Sequence, residues 1–338
     1  MIKDMIKWVI DYKRFTPEER ALLNTPREEK IIQSNEFLDL VQEYFSRMPY
    51  CNISNKDRYI TFNDSGTSFI KDIFDYEVDD NTLVISTLYE HGSVKDQLSH
   101  CKNVLYLDFE KDIRAQNITK ILEEAKKYKK VFVYIIGTQI CTGEITPQNF
   151  FESLKEALVK ENINHKILID DVHGMFVVPR DYSFFDYILY TAHSMVRNYE
   201  MGLLISREKR FGIEAYNWGK DYLPRLDLIL NRKDKMLYFN LAFYQYFSEV
   251  LSNKYFSTYV NTVDHIFAIK TQDLYFTENM FSNLDKYDIR LSEHNMFENF
   301  IEIRFQEFIT HTYEEIEEGL NLLDKYIKQS IIMSTMRD

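Results

Sequence analysis

From about residue 60 onward, the period of the hydrophobic pattern changes repeatedly. Short apolar runs occur at TLVIST (82–87), NVLYLDF (103–109), VFVYIIGT (131–138), KILIDD (166–171), DYILYT (186–191) and GLLISRE (202–208). Their length and their Val, Ile, Leu and Tyr content predict buried strands. ITKILEEAKKYKK (118–130) and PQNFFESLKEALVKEN (147–162) place apolar residues at helical spacing instead. Strands alternating with helices predict βαβ units, and hence an α/β class with a mainly parallel sheet flanked by helices over about 55–225.

The flanking regions read differently. Residues 1–54 predict an N-terminal helical segment. Thr16-Pro17-Glu18-Glu19 supplies an N-cap and a first-turn proline, and the stretch from Asn35 to Phe45 has helical apolar spacing. Residues 226–338 predict a smaller α+β C-terminal domain. It has a helical, aromatic stretch at 226–258, strands at IFAIKT (266–271) and FIEIRFQ (300–306), and a terminal amphipathic helix at 312–331 that Thr312 and Glu315 open as a capping box.

Composition narrows the partners. The chain has 338 residues, enough for two domains, and 28% of them are charged. No apolar run approaches the roughly 18 residues of a membrane span, and the start, MIKDMIKWVIDYKR, is too charged for a signal peptide. A net charge of -12 argues against a nucleic-acid partner. Three cysteines without paired spacing predict neither disulfides nor zinc, and so a reducing cytoplasmic setting.

In mainly parallel sheets the chemistry lies beyond the carboxyl ends of the strands. Those ends carry Glu90-His91-Gly92-Ser93, Gly137-Thr138-Gln139, Asp170-Asp171-Val172-His173 and Thr191-Ala192-His193-Ser194. Asp170 can hold a protonated ring nitrogen or simply cap a turn. Ser65-Gly66-Thr67-Ser68, ahead of a helical pattern, is an anion cradle or an ordinary N-cap. His91 can stack on a planar ligand or occupy a turn. Arg304 can pair with a substrate carboxylate or with a surface acid such as Glu302. His91, His173 and Asp170 include no close-spaced ligand pair, so no metal is expected. Ser194 beside His193 lacks the Gly-x-Ser-x-Gly elbow of a hydrolase.

The order of these segments resembles that of the fold type I pyridoxal-phosphate enzymes, the aspartate aminotransferase superfamily, over roughly residues 60–330. The resemblance implies a large domain with a seven-stranded type of sheet and a cofactor of pyridoxal phosphate or pyridoxamine phosphate. It assigns Ser65, Gly66, Thr67, Ser68, Thr191 and His193 to the phosphate side and His91 to ring stacking. Gln139 falls at the phenolic oxygen, Asp170 at the pyridine nitrogen, and His173 at the cofactor oxygen or the substrate. Arg304 falls at the substrate carboxylate. Asp170-Asp171-Val172-His173-Gly174 is similar to the Asp-Asp-Ala-His-Gly stretch of the oxoamine-synthase branch, and Glu90-His91 is similar to the stacking-histidine stretch of the desulfurase branch.

The resemblance also places a Schiff-base lysine after a Thr-x-His lead, where this chain has Ser194. Lys209 is the next lysine, then Lys220, both beyond the following strand. Serine forms no Schiff base and is a poor base, so the proton shuttle passes to His173 or His193, with Ser194 beside them. The function this implies is an aminotransferase-like transferase or lyase acting on an amino acid or amino-acid-derived substrate by a lysine-independent route, with non-covalent cofactor. The alternatives are a non-catalytic subunit partnering a lysine-bearing relative, and a pocket repurposed for another ligand. A homodimer is expected, with a heterodimer as the other arrangement.

Overall fold

The computed structural model describes residues 58–63, 65–139, 144–175, 178, 180–191, 202–208, 257–258, 266–270, 277–287, 289–294, 300–305 and 313–335. The helices expected at 1–54 and most of the helical stretch expected at 226–258 lie outside these residues, as do Thr312, His193 and Ser194.

Seven strands form the main sheet: β1 (Tyr59–Asn63), β2 (Thr82–Thr87), β3 (Val104–Leu107), β4 (Lys130–Ile136), β5 (His165–Asp170), β6 (Tyr187–Thr191) and β7 (Gly202–Ser206). Their spatial order is β1-β7-β6-β5-β4-β2-β3. The pairs β2–β3, β2–β4, β4–β5 and β5–β6 are parallel, whereas β7 runs antiparallel to both β6 and β1. Parallel neighbours need crossover connections, which the helices supply. These include α1 (Gly66–Glu77), α2 (Gly92–His100), α3 (Ile118–Ala125) and α4 (Gln148–Lys160). A turn of π-helix at Phe109–Arg114 follows β3.

β2, β6 and β7 are buried along their whole length. That explains why these strands read as continuous apolar runs, with no alternation. Phe69, Ile70, Ile73 and Phe74 of α1 pack onto Phe132 and Tyr134 of β4, Leu168 of β5, Leu189 of β6 and Leu204 of β7. α1 thus seals one face of the sheet and fixes the position of its own N-terminus against the strand ends.

A second sheet has the order β10-β11-β9-β8, with β8 (Ser257–Thr258), β9 (Ile266–Lys270), β10 (Ile289–His294) and β11 (Phe300–Phe305) all antiparallel. Helix α5 (Glu278–Asp285) precedes β10, and the chain's described part ends in α6 (Tyr313–Thr335). The apolar pattern predicts neither α2 nor β10. α2 has a mostly polar sequence, GSVKDQLSH, with only Val94 and Leu98 buried. β10, IRLSEH, carries too few apolar residues to show strand periodicity.

The edge opposite the strands' carboxyl ends is held by a buried polar cluster. Glu77, at the end of α1, accepts hydrogen bonds from Tyr187 Oη at the start of β6 and from Lys130 Nζ at the start of β4. Lys130 Nζ also donates to the Glu77 carbonyl at 2.8 Å. Removing one member of such a pair strands the other charge away from water. Lys130→Met is therefore expected to cost about 3 kcal/mol. Guanidinium unfolding checks this as a lower midpoint at unchanged slope.

Candidate functional site

The sheet order reverses at β2. The chain moves from β2 outward to β3, then returns to the other side of β2 as β4 and proceeds to β5 and β6. A crevice forms at such a switch point, beyond the carboxyl ends of the strands. Glu90 and His91 follow β2 on one side of it, and Gly137, Thr138 and Gln139 follow β4 on the other.

Asp170 ends β5 with only 3% of its surface exposed. Its Oδ2 accepts from Tyr134 Oη on β4 at 2.7 Å, and its Oδ1 accepts from the Val172 amide at 3.3 Å. Burial nevertheless dominates and pushes its carboxyl up to about 6, against the opposing effect of those two hydrogen bonds. Asp171 plays a different part. It lies 3.2 Å from Arg180 Nε and accepts from Tyr182 Oη. Arg180 then donates to the carbonyls of Thr146 at 2.9 Å and Gly137 at 2.6 Å. This wholly buried charge pair ties the segment after β5 to the one after β4. A Cβ on Gly137 would lie 2.1 Å from Asp171 Oδ1, so only glycine leaves that carboxylate its place.

The same clamp positions Gln139. The loop closes through a bridge between Thr138 and Ile145 and through Gln139 N donating to the Glu144 carbonyl at 2.8 Å. The Gln139 side chain is 1% exposed, and among the described residues neither its Oε1 nor its Nε2 has a hydrogen-bond partner. A buried amide with both ends unpaired costs free energy unless a ligand completes it.

The Ser65–Ser68 segment opens α1. The Ser65 side chain makes no cap bond to the helix; it lies 3.4 Å from Ser68 Oγ. Thr67 and Ser68 are exposed. The helix start therefore keeps backbone N–H groups available for an anion. A Cβ on Gly66 would come within 2.9 Å of the Thr191 methyl at the end of β6, and one on Gly202 within 2.7 Å of the Ser65 carbonyl. Small residues at both positions bring the α1 N-terminus against Thr191, uniting two segments far apart in sequence.

His91 is exposed and serves as the N-cap of α2. Its Nδ1 accepts from the Ser93 amide at 3.2 Å and lies 2.7 Å from Ser93 Oγ. His173 is buried just beyond Asp170. Arg304 is on β11, opposite Arg290 of β10 and Ile266 of β9 in register.

Sequence reading gave no role to three participants, Tyr134, Glu90 and Arg180. Tyr134 lies inside an apolar strand, where a phenol must find a polar partner; that was a usable signal. Glu90 is 2% exposed. Its Oε1 accepts from Thr87 Oγ1 at 2.7 Å and from the Ile136 amide at 3.3 Å. Burial, with Asp170 nearby, pushes its carboxyl up to about 8. Nothing local in the sequence marks Arg180, because its partners come from three separate segments.

Both raised carboxyls link stability to pH. The folded chain holds protons on Glu90 and Asp170 that the unfolded chain releases at lower pH. The stabilisation is complete below the unfolded carboxylate range of about 4 and is lost as pH rises through about 6 and then about 8. Each proton contributes a slope approaching about 1.4 kcal/mol per pH unit inside its window. Urea midpoints of the ligand-free chain should therefore fall from pH 5 to pH 8. A flat profile would exclude this linkage.

No protein-family model matches the sequence, and no curated protein matches it. Solved structures do match. A NifS-like protein from Rickettsia africae ESF-5 superposes with a TM-score of 0.67 at 14% identity, covering 93% of this chain and 96% of the other. A PLP-dependent aminotransferase from Streptococcus suis 89-1591 gives 0.65 at 15% identity, with 96% and 90% covered. Serine palmitoyltransferase from S. paucimobilis gives 0.64 at 12%, with 95% and 86% covered.

The fold is that of the fold type I pyridoxal-phosphate enzymes. At the strand ends the chain presents an anion-binding helix start and buried polar groups suited to a ligand. An uncapped helix start faces Thr191, Gln139 holds an unmatched amide, and Asp170 is a buried acid with no lysine or arginine paired to it among the described residues. No helix among the described residues is long and apolar enough to cross a membrane.

Proposed function

We propose that this chain is an aminotransferase-like protein that binds pyridoxal phosphate or pyridoxamine phosphate without a covalent link and acts on an amino acid or an amino-acid-derived substrate. The observation that carries this reading is Asp170, an acid kept buried at the end of β5 despite the cost of burial. A bound pyridoxal cofactor supplies an electron sink for charge developing at a substrate carbon. Residues 55–225 provide its binding groups. Asp170 holds the ring nitrogen, the α1 N-terminus with Ser65, Gly66, Thr67, Ser68 and Thr191 binds the phosphate, His91 covers the ring, and Gln139 meets its phenolic oxygen. His173 and His193 move the proton at the substrate α-carbon, because Ser194 is too weak a base. Arg304, in the 226–338 region, holds the substrate carboxylate. The protein acts in the cytoplasm as a homodimer.

Serine at position 194 also favours a second reading, a non-catalytic subunit that pairs with a lysine-bearing relative. Titration of the folded chain separates these readings from a repurposed pocket. Pyridoxamine phosphate should produce a saturable absorbance change that dialysis reverses, and unphosphorylated pyridoxamine should bind at least about tenfold more weakly, since charge-assisted bonds contribute about 1.5–3 kcal/mol. Catalytic turnover of amino acids by the chain alone decides for the enzyme. Binding without turnover decides for the subunit. The absence of any spectral change with folded protein defeats both.

A further inference from the structure

Glu90 and Asp170 come from different strand ends but meet across one strand. Asp170 pairs in register with Ile136 of β4, and the Ile136 amide donates to Glu90 Oε1 at 3.3 Å. The two carboxyls therefore flank β4 at a single level of the sheet, both almost wholly buried.

Their hydrogen bonding is unequal. Each Asp170 oxygen receives its own donor, Tyr134 Oη on Oδ2 and the Val172 amide on Oδ1, a pattern that suits an ionised carboxylate. On Glu90 both donors, Thr87 Oγ1 and the Ile136 amide, fall on Oε1. Among the described residues Oε2 is buried with no partner, so no donor stabilises a negative charge there. Among the described residues, the groups acting on the pair are Tyr134 from β4, Asp171 and the Val172 amide beside Asp170, and Thr87 and the Ile136 amide at Glu90. Among the described residues no lysine or arginine forms an ion pair with either acid, so two charges here would repel without compensation.

We propose that Glu90 is a positioning residue that acts through Asp170: it holds the proton of the pair, so that the pocket floor carries one negative charge, which Asp170 offers to a ligand's ring nitrogen. The ligand clause rests on the function proposed above; the charge state of the pair does not.

Infrared difference spectra of the ligand-free chain, recorded as pH rises from about 6.5 to about 9.5, test this directly. The wild type should lose a protonated-carboxyl C=O band with a midpoint near 8. Glu90→Gln should lose no such band, and its stability profile should flatten over the same range. Thr87→Val, which removes a donor to the ionised form, should move the midpoint upward and guards against a Gln variant that does not fold. A wild type without the band, a band that survives in Glu90→Gln, or a midpoint unmoved in Thr87→Val overturns the proposal. Saturation with pyridoxamine phosphate should lower the midpoint by about one pH unit, because a ring cation at Asp170 favours ionised Glu90. Saturation with no shift overturns the link to the ligand. Failure of the folded wild type to bind pyridoxamine phosphate defeats the proposed function alone, since the ligand-free spectra still decide where the proton sits.

Discussion

Ser194→Lys should turn a removable cofactor into a permanent one. The wild type is expected to release pyridoxal phosphate on dialysis. The variant should become yellow, stay so through dialysis, and on borohydride reduction gain the mass of one reduced cofactor on the peptide containing position 194. The physical basis is that a lysine amine close to an aldehyde condenses once it is unprotonated, and a neighbouring ring cation lowers the amine's pKa. The rest of the arrangement is available: Thr191 lies against the α1 N-terminus, and Asp170 waits at the end of β5. A folded variant that takes up no cofactor would show that the pocket serves another ligand. A reducible adduct in the wild type would show that a different lysine, such as Lys209, does the anchoring.

Asp170→Asn should move binding and stability in opposite directions. Asparagine matches aspartate in shape and still accepts from Tyr134 Oη, but it carries no charge. Truncating one side of a buried, hydrogen-bonded charge pair costs about 2–5 kcal/mol, so pyridoxamine phosphate affinity should fall at least about 30-fold. The ligand-free chain should gain stability above pH 7, on the order of 2 kcal/mol, because a buried charge disappears. The sign follows from the raised carboxyl: its stabilising protonation is lost as pH passes about 6, and asparagine has nothing to lose there. Calorimetry of both chains at pH 7.5, paired with fluorescence titration, checks the two effects together. Loss of stability along with binding would make Asp170 a structural acid only.

Much of the main sheet is legible in the sequence because strands such as β2, β6 and β7 are buried along their whole length. TLVIST at 82–87 reads as a strand and is one, residue for residue, and IFAIKT loses only its last position. The helix expected at 147–162 runs over 148–160. Such elements are set by local hydrophobic period, which neighbouring chain segments do not alter. Elements with little apolar content, such as α2 and β10, leave no such trace. The candidate site divides along the same line. Asp170 and Gln139 are visible as polar groups where an apolar run stops, and Ser65–Ser68 as the lead of a helical pattern; a βαβ order already puts the strand stops at one edge.

What the sequence determined by itself is the class of fold and the edge that carries polar chemistry. Only the tertiary structure decided which polar groups meet. It separated Asp170, held by Tyr134, from its neighbour Asp171, which belongs to Arg180 and Tyr182. It also brought Glu90 to the amide of Ile136, level with Asp170, and left the Gln139 amide unmatched among the described residues. The physical reason is that a side chain's charge and hydrogen bonds depend on contacts between residues distant in the chain and on the water those contacts exclude. Residue spacing in one segment encodes neither.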